Sequence, residues 1–359
     1  GAADDPELTR RVAAAIGGEL AAAGVNLDLA PVADVVVDPA NPIVGVRSFG
    51  SEPQLVARHV AAFVEGLQSV GVAACAKHFP GHGETAADSH LELPTAEADR
   101  ETLLARALPP FRAAVDAGVR AVMTAHIRFP ALAEEPATLS PGLIGLLRSE
   151  LGFQGVVMTD ALEMRAVSGT AGFERGGVLA LAAGADALCL GADRSPEEVE
   201  GLQAAVVDAV GSGGLSEERL QEAAARVAEL AAWVSPRPTS DREAGVEAAR
   251  RALDVEGDAA VGLDAFVVEL VPDPTIAAGE SHHGLGELAG LETVRLEEGG
   301  TVPLHNSARE LVVVVRDAHR HPWQQELVPP GAVVVETGLP EWRPPQSRAF
   351  VATHGAGCT

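Results

Sequence analysis

The fold is decided by the stretch KHFPGHGETAADSH, which occupies residues 77–90. An apolar run at 71–76 enters this stretch and predicts a short buried strand. The strand ends in a cation and an imidazole, and Pro80-Gly81 then stops regular structure. A polar loop rich in titratable side chains follows. A strand that brings Lys and His to its carboxyl end, before such a loop, is typical of active sites in α/β folds.

The alternative interpretation of this stretch is a solvated loop that holds its Lys and three His by chance. A Lys-His pair directly after a buried strand would lie at the rim of a core, however, where charge is costly unless it is paired or used. The loop also carries Glu84, Asp88 and His90, which are further groups able to exchange protons. We therefore favour a functional site built around Lys77 and His78.

Outward from this stretch, apolar runs alternate with Ala-rich amphipathic segments over the first 235 residues. The apolar runs are continuous, which is typical of a parallel sheet that is covered on both faces. The predicted strands are 25–32, 72–77, 119–125, 155–159 and 185–190. The predicted helices are 6–23, 53–70, 97–117, 141–151, 174–183, 196–210 and 216–234.

The candidate functional residues lie at the carboxyl ends of predicted strands, as in a (β/α)8 barrel. The sequence contains five clear strand–helix units, whereas a closed barrel needs eight. We therefore predict a partial, open barrel of the TIM type over 1–235. A Pro-rich linker at 236–241 leads to 242–359, which we predict to be a small α/β domain. Its elements are a helix at 242–252 and strands at 266–271, 311–315, 332–335 and 349–353.

The composition limits the possible partners. The chain of 359 residues carries 26 Lys and Arg against 51 Asp and Glu, a formal net charge of −25. This field repels phosphate backbones and anionic headgroups, so we expect no nucleic-acid partner and no membrane partner. No segment is apolar over the length needed to span a bilayer. The composition leaves the oligomeric state open.

The cysteines indicate a reducing compartment. Cys75, Cys189 and Cys358 are too few and too scattered for a disulfide framework, and the first two lie in apolar runs as small core residues do. No targeting segment is visible from Gly1 onward. We therefore expect a cytoplasmic location, although the chain begins without Met and its natural amino terminus is not visible.

The stretch 77–90 resembles the signature of β-N-acetylglucosaminidases of glycoside hydrolase family 3, in which Lys-His-Phe-Pro-Gly-His-Gly is followed by Asp-Ser-His. The resemblance covers most of the first two-thirds of the chain. Its other segments are NLDLAPVADV at 26–35, GVRSFG at 45–50, MTAHI at 123–127 and GVVMTDAL at 155–162.

The resemblance implies a (β/α)8 barrel followed by a second domain. It places the three missing strand–helix units before Gly1, where family members carry an Asp-x-Glu-Gly-Gly stretch whose Asp grips sugar hydroxyls. We find no such stretch and therefore expect an amino-terminally truncated chain. The sequence stops at Cys358-Thr359 directly after an apolar run, so the second domain is also expected to be incomplete.

The resemblance also implies the catalytic roles. Asp160 would be the nucleophile of a double displacement, and we favour this role over the alternative of a cap for the following helix. His90 would be the acid/base, with Asp88 as its partner. Residues i and i+2 of an extended loop point the same way, so this carboxylate can reach the imidazole and favour its cationic form.

The sugar-binding residues implied by the resemblance are Arg47, Lys77 and His78. His126 ends a strand at the same rim and is a weaker candidate for the same role. We expect Asp34 to anchor the loop that carries Arg47, and His82 to hold the shape of its own loop. His78 and His82 cannot share a helix across Pro80-Gly81, so we expect no metal site and no cofactor.

The function implied by the resemblance is that of a retaining exo-β-N-acetylglucosaminidase. Its substrates would be small glycosides such as cell-wall fragments, as in peptidoglycan recycling. The first alternative is a β-N-acetylglucosaminide phosphorylase with the same residues, because a histidine acid/base does not repel an anionic acceptor. The second alternative is an inactive carbohydrate-binding fragment.

Overall fold

A computed structural model describes residues 1–85, 93–191, 194–274, 284–302 and 309–355. The chain groups into two compact units. The first contains Ala3–Val44 and Ser48–Ala244, together with Gly1. The second contains Gly245–Thr359, together with Ala2 and Gly45–Arg47.

The first unit is built on a parallel sheet of four strands, in the order β1-β2-β3-β6. Ala187 forms a single parallel bridge with Met158 of β6 and marks where a fifth strand of the sheet would lie. Among the described residues of this unit the sheet has four strands, where the sequence predicts five. The strands are β1 (Leu27–Asp28), β2 (Ala73–Phe79), β3 (Ala121–Thr124), the hairpin of β4 (Arg128–Phe129) and β5 (Ala133–Pro136), and β6 (Val156–Thr159).

Helices alternate with these strands, as the sequence predicts. Several begin at a side-chain cap followed by Pro, which satisfies the free amides of the first turn. Asp5 caps α1 and Ser195 caps α7, while α2 is capped by Glu52 rather than by the Ser before it. The helices are α1 (Pro6–Ala22), α2 (Pro53–Ser69), α3 (Arg100–Asp116), α4 (Pro141–Gly145), α5 (Arg165–Ala171), α6 (Phe173–Ala183), α7 (Pro196–Gly211) and α8 (Glu217–Trp233).

The main core of the first unit lies between one face of the sheet and the helices. Phe79 of β2 is fully buried against Phe111 of α3, with ring centroids 5.2 Å apart in an edge-on arrangement. The opposite face of the sheet forms a smaller apolar cluster around Cys75 and Met123. Both faces of the strands are therefore covered, which explains why their sequences are continuously apolar.

The structure corrects several predicted elements of the first unit. The run 185–190 contributes a single bridging residue rather than a regular strand, and the run 25–32 contributes the short β1 and a bridge from Val32 to Lys77. The predicted helix 141–151 is α4 followed by a π-helical turn, Leu146–Glu150. Helix α5 and the β4–β5 hairpin were not predicted, because neither has the length that makes a periodic pattern visible.

The second unit contains a six-stranded sheet in the order β7-β12-β11-β10-β8-β9. All neighbours are parallel except β7, which pairs antiparallel with β12 at one edge. The four strands predicted here are confirmed, whereas β7 and β9 were missed because they are exposed edge strands rich in charge. The elements are α9 (Arg242–Ala252), β7 (Asp254–Gly257), β8 (Phe266–Leu270), α10 (Leu285–Leu288), β9 (Glu292–Leu296), β10 (Leu311–Val315), α11 (Pro322–Leu327), β11 (Val333–Glu336) and β12 (Ala349–Ala352).

The α/β class with a separate second sheet is thus confirmed. In the described part of the chain, no helix combines the length and the hydropathy needed to cross a bilayer.

Candidate active site

The site is built at one edge of the first sheet, where β2, β3 and β6 end side by side. Phe79 pairs with Thr124, and Thr124 pairs with Thr159, so these residues define a carboxyl edge of the sheet. Since the strands are parallel, the residues next to these three positions meet at that edge. The edge brings together His78, His126 and Asp160, as the sequence predicts.

Asp34 holds His78 at this edge. One carboxylate oxygen, Oδ2, accepts a hydrogen bond from His78 Nδ1 at 2.8 Å. The other oxygen accepts the backbone N–H groups of His78 at 3.1 Å and of His82 at 2.7 Å. Asp34 also anchors the loop before α2, because its backbone carbonyl accepts the Ser48 hydroxyl at 2.6 Å. The buried side chain therefore fixes the entire turn that leaves β2.

The charge of Asp34 determines the tautomer of His78. Burial alone would raise the pKa of the Asp34 carboxyl, but the charge and hydrogen bond of His78 outweigh it, so that the pKa lies below its ordinary value. An ionised carboxylate only accepts hydrogen bonds, so Nδ1 of His78 must carry a proton. Nε2 is then the ring nitrogen that faces Asp160.

Asp160 follows β6 directly and lies beside His78. Its Oδ2 is 3.9 Å from His78 Nε2, and its Oδ1 accepts the N–H of Ala161 at 2.9 Å. The side chain is 20% exposed, so one face is open to solvent. Burial raises the pKa of Asp160, but the charges of His78 and His126 more than offset this, and the pKa lies below its ordinary value. The site thus holds an ionised, reachable carboxylate.

His126 contacts the residue that follows Asp160 and is buried, with 1% of its surface exposed. Its Nδ1 is 2.7 Å from the Thr138 hydroxyl, and its Nε2 is 3.0 Å from the carbonyl oxygen of Ala161. Burial lowers the pKa of His126, which favours the neutral imidazole. Both ring nitrogens are therefore engaged with protein atoms.

The other predicted site residues lie in different parts of the chain, and some of them are outside the described residues. Lys77 lies in β2, and its positive charge contributes to the lowered pKa of Asp160. Arg47 ends the turn Gly45–Arg47, which groups with the second unit. Asp88 and His90 lie outside the described residues. Their roles, like that of Arg47, stay predictions.

His82 is buried at the turn after β2. Its ring lies edge-on to that of His78, with centroids 5.6 Å apart, and its Nδ1 is 3.2 Å from the Thr85 hydroxyl. Burial lowers its pKa to about 4, so it is neutral at physiological pH. This environment suits a residue that holds the shape of its loop. Within the described ranges, no group of three or more His, Cys, Asp or Glu is arranged to hold a metal ion.

Known proteins are similar to this chain over the part that contains the candidate site. A family profile described as "Glycosyl hydrolase family 3 N terminal domain" matches residues 1–230. The chain belongs to glycoside hydrolase family 3.

Its relatives include "Beta-hexosaminidase A" from Pseudoalteromonas piscicida, 38% identical over 61% of this chain and 40% of the relative. A "Beta-hexosaminidase" from Stenotrophomonas maltophilia is 43% identical over 46% of this chain and 50% of the relative. The chain thus spans half or less of the length of these relatives.

Solved structures of other proteins have the same fold. A glycoside hydrolase family 3 beta-N-acetylglucosaminidase from Paenibacillus sp. str. FPU-7 superposes with a TM-score of 0.84 at 33% identity, over 99% of this chain and 76% of that chain. A beta-glucoside phosphorylase superposes with a TM-score of 0.78 at 22% identity, over 99% of this chain and 74% of that chain. At this lower identity the similarity shows the fold alone.

The candidate site also contains contacts that the sequence did not predict. Thr138 contacts His126 from the turn after the β4–β5 hairpin, and no motif marks it. Glu163 accepts the N–H of Gly191 at 2.9 Å and thereby ties the loop after β6 to the end of the fifth apolar run. Asp34 holds His78 through its carboxylate. The sequence shows that Asp34 ends a strand, but this position alone does not reveal whether it holds a histidine or anchors a loop.

Proposed function

We propose that the protein is a retaining exo-β-N-acetylglucosaminidase that releases terminal N-acetylglucosamine from small glycosides. The observation that carries this proposal is the carboxylate of Asp160, which lies at a strand end beside a histidine held by Asp34. A double displacement needs such a carboxylate on one face of the sugar. The similarity to proteins named beta-hexosaminidase and beta-N-acetylglucosaminidase supports the choice of sugar.

The mechanism assigns one face of the sugar to each catalytic group. Asp160 Oδ2 attacks the anomeric carbon while His90 protonates the departing glycosidic oxygen, which gives a glycosyl ester and a free alcohol. His90, now neutral, then takes a proton from water. The water oxygen attacks the anomeric carbon, Asp160 leaves as a carboxylate, and the original configuration is restored. Asp88 would keep His90 in the cationic form for the first step.

The sugar ring would be held by Arg47, Lys77 and His78. Donors that converge on hydroxyl groups fix the ring and can strengthen as it distorts toward an oxocarbenium ion. Because the Nδ1–H of His78 donates to Asp34, Nε2 is the atom that this ring offers to the substrate.

The experiment that tests the proposal compares two substrates in the His90→Ala variant. We expect a loss of about 10²–10⁴-fold in kcat/KM on a substrate with a poor leaving group, because such a group needs protonation. A nitrophenyl N-acetylglucosaminide should lose much less, and Asp88→Ala should show a milder form of the same pattern. Equal losses on both substrates would exclude His90 as the acid.

The products of the unmodified protein decide between transfer to water and transfer to phosphate. We expect free N-acetylglucosamine with and without phosphate in the assay. Accumulation of the sugar 1-phosphate would instead identify a phosphorylase, and no turnover of any aryl N-acetylglucosaminide would contradict both activities.

Replacing Asp34 with Asn should lower kcat/KM on the order of 100-fold or more, because Asn can donate to Nδ1 and so reverse the tautomer of His78. The variant keeps an oxygen for the two backbone amides, so it should fold. Nitrogen NMR shifts of the His78 ring report the tautomer directly. Asp116→Asn, an exposed change on α3, is the control. An unchanged tautomer together with unchanged kcat/KM would refute this role of Asp34.

A further inference from the structure

A chain of buried hydrogen bonds leads from the turn after the β4–β5 hairpin to the loop of Asp160. The Thr138 hydroxyl is 2.9 Å from the Thr124 hydroxyl, 3.0 Å from the Ala125 carbonyl oxygen and 2.7 Å from His126 Nδ1. His126 Nε2 is 3.0 Å from the Ala161 carbonyl oxygen. Thr138, Thr124 and His126 are each at most 1% exposed.

The direction of these hydrogen bonds follows from the acceptors. A carbonyl oxygen cannot donate, so Nε2 of His126 must carry a proton and donate it to Ala161. In the neutral ring Nδ1 is then an acceptor. Thr138 is the hydroxyl within reach of it, at a distance shorter than its contact with the Ala125 carbonyl oxygen. Thr138 has one proton for two acceptors, and when it donates to Nδ1 rather than to the Ala125 carbonyl oxygen it stabilises the tautomer of His126 that can hold Ala161.

The hydrogen bond to Ala161 acts on Asp160. The N–H of Ala161 donates to Asp160 Oδ1 at 2.9 Å, while the carbonyl oxygen of Ala161 accepts from His126. The residue that follows the nucleophile is thus held at both ends, by the carboxylate on one side and by the imidazole on the other. A small rotation of this loop would move Oδ2 relative to the anomeric carbon.

We propose that Thr138 and His126 are positioning residues that hold the Asp160 carboxylate in its attacking orientation. This inference rests on the proposed function, since it assigns Asp160 as nucleophile. It differs from the sugar-binding role predicted for His126, because a sugar hydroxyl would have to displace a buried bond that the ring already makes. A positioning role should change kcat, whereas a sugar contact should change KM.

The test uses Thr138→Val, which keeps the shape of the side chain and removes the hydroxyl. We expect kcat to fall about 10–100-fold with KM changed by less than about 2-fold, because displacement of a reacting group by 1 Å can have an effect of this size. Thr138→Ser restores the hydroxyl and should recover most of the lost rate. Nitrogen NMR shifts of His126 should show loss of the single tautomer in Thr138→Val and its return in Thr138→Ser.

A matched control separates positioning from stability. Thr337 is a buried threonine of the second unit whose hydroxyl donates to the Val315 carbonyl oxygen at 3.0 Å. Thr337→Val should lower the melting temperature as Thr138→Val does and leave kcat unchanged. A KM increase with unchanged kcat in Thr138→Val would overturn the proposal in favour of sugar binding. Equal kcat values in Thr138→Val and Thr337→Val would overturn it outright.

The two proposals fail in different ways. If the unmodified protein does not cleave an aryl N-acetylglucosaminide, the proposed function fails. The positioning proposal is then judged by NMR alone, since Thr138→Val must still alter the His126 tautomer and the titration of Asp160. If the unmodified protein cleaves and Thr138→Val cleaves equally fast, only the positioning proposal fails.

Discussion

Asp160→Ala should lower turnover by about 10⁴-fold or more on every N-acetylglucosaminide, whatever its leaving group, because no leaving group replaces a missing nucleophile. This uniform loss contrasts with the substrate-dependent loss expected for His90→Ala. Steady-state kcat/KM on a nitrophenyl and an alkyl glycoside measures the difference. Asp116→Asn on the exposed face of α3 is the control for loss of a carboxylate elsewhere.

The identity of the nucleophile has a direct chemical test. A 2-fluoro sugar with an activated leaving group slows the second step of a double displacement, so the glycosyl ester accumulates on the attacking carboxylate. We expect the adduct on the peptide that contains Asp160. Asp34 is buried and holds His78, while Glu163 holds Gly191, so neither is free to attack. An adduct on either residue would refute the assignment.

The pH dependence of the same step follows from the lowered pKa of Asp160. The ionised carboxylate is the attacking form, so activity is lost as the pH falls through this pKa. Because His78 and His126 outweigh the effect of burial, that loss should occur below the ordinary range for aspartate, about 3.9. An acid limb of kcat/KM near neutral pH would therefore belong to another group.

The strands and helices that carry the site were predictable because their patterns are long and consistent. β2, β3 and β6 are continuously apolar runs that end in polar residues, and their parallel pairing alone brings His78, His126 and Asp160 together. The fifth run, 185–190, is apolar apart from Asp186 but forms one bridge, because apolar character does not specify hydrogen bonding.

The contacts behind the site were not predictable from local patterns. Asp34 reaches His78 across 44 positions of sequence, and no period or motif encodes such a contact. Thr138 follows a hairpin too short to leave a pattern, yet its hydroxyl lies against His126. Residues that orient a catalytic group are identified by their distance from that group in the folded chain, so the structure is needed to find them.

Asp186→Ala should destabilise the first unit more than any other single change considered for it. The carboxylate is fully buried and is surrounded by the guanidinium groups of Arg148, Arg219 and Arg226. It also accepts the N–H of Val157 in β6 at 2.9 Å. Asp186 thus connects the fifth apolar run, α8, the π-helical turn and the sheet.

The size of the effect follows from what remains when Asp186 is removed. Three guanidinium groups would lie close together without the central carboxylate, and burial already lowers the pKa of Arg148. Breaking a buried ion pair by removing one partner costs about 3–5 kcal/mol, because the other charge stays buried and uncompensated. We expect a loss of at least this size in the free energy of unfolding measured by urea titration.

Glu222→Gln provides the matched control for Asp186→Ala. Glu222 pairs with two of the same arginines, Arg219 at 2.9 Å and Arg226 at 3.9 Å, but its side chain is 60% exposed. Solvent screens such a pair, so its loss should cost about 0–1 kcal/mol. Both variants remove one negative charge from the same arginine cluster, and the two carboxylates differ in burial and in the Val157 N–H that Asp186 also accepts. If both lowered the free energy of unfolding equally, the burial of Asp186 would not explain the size of its effect.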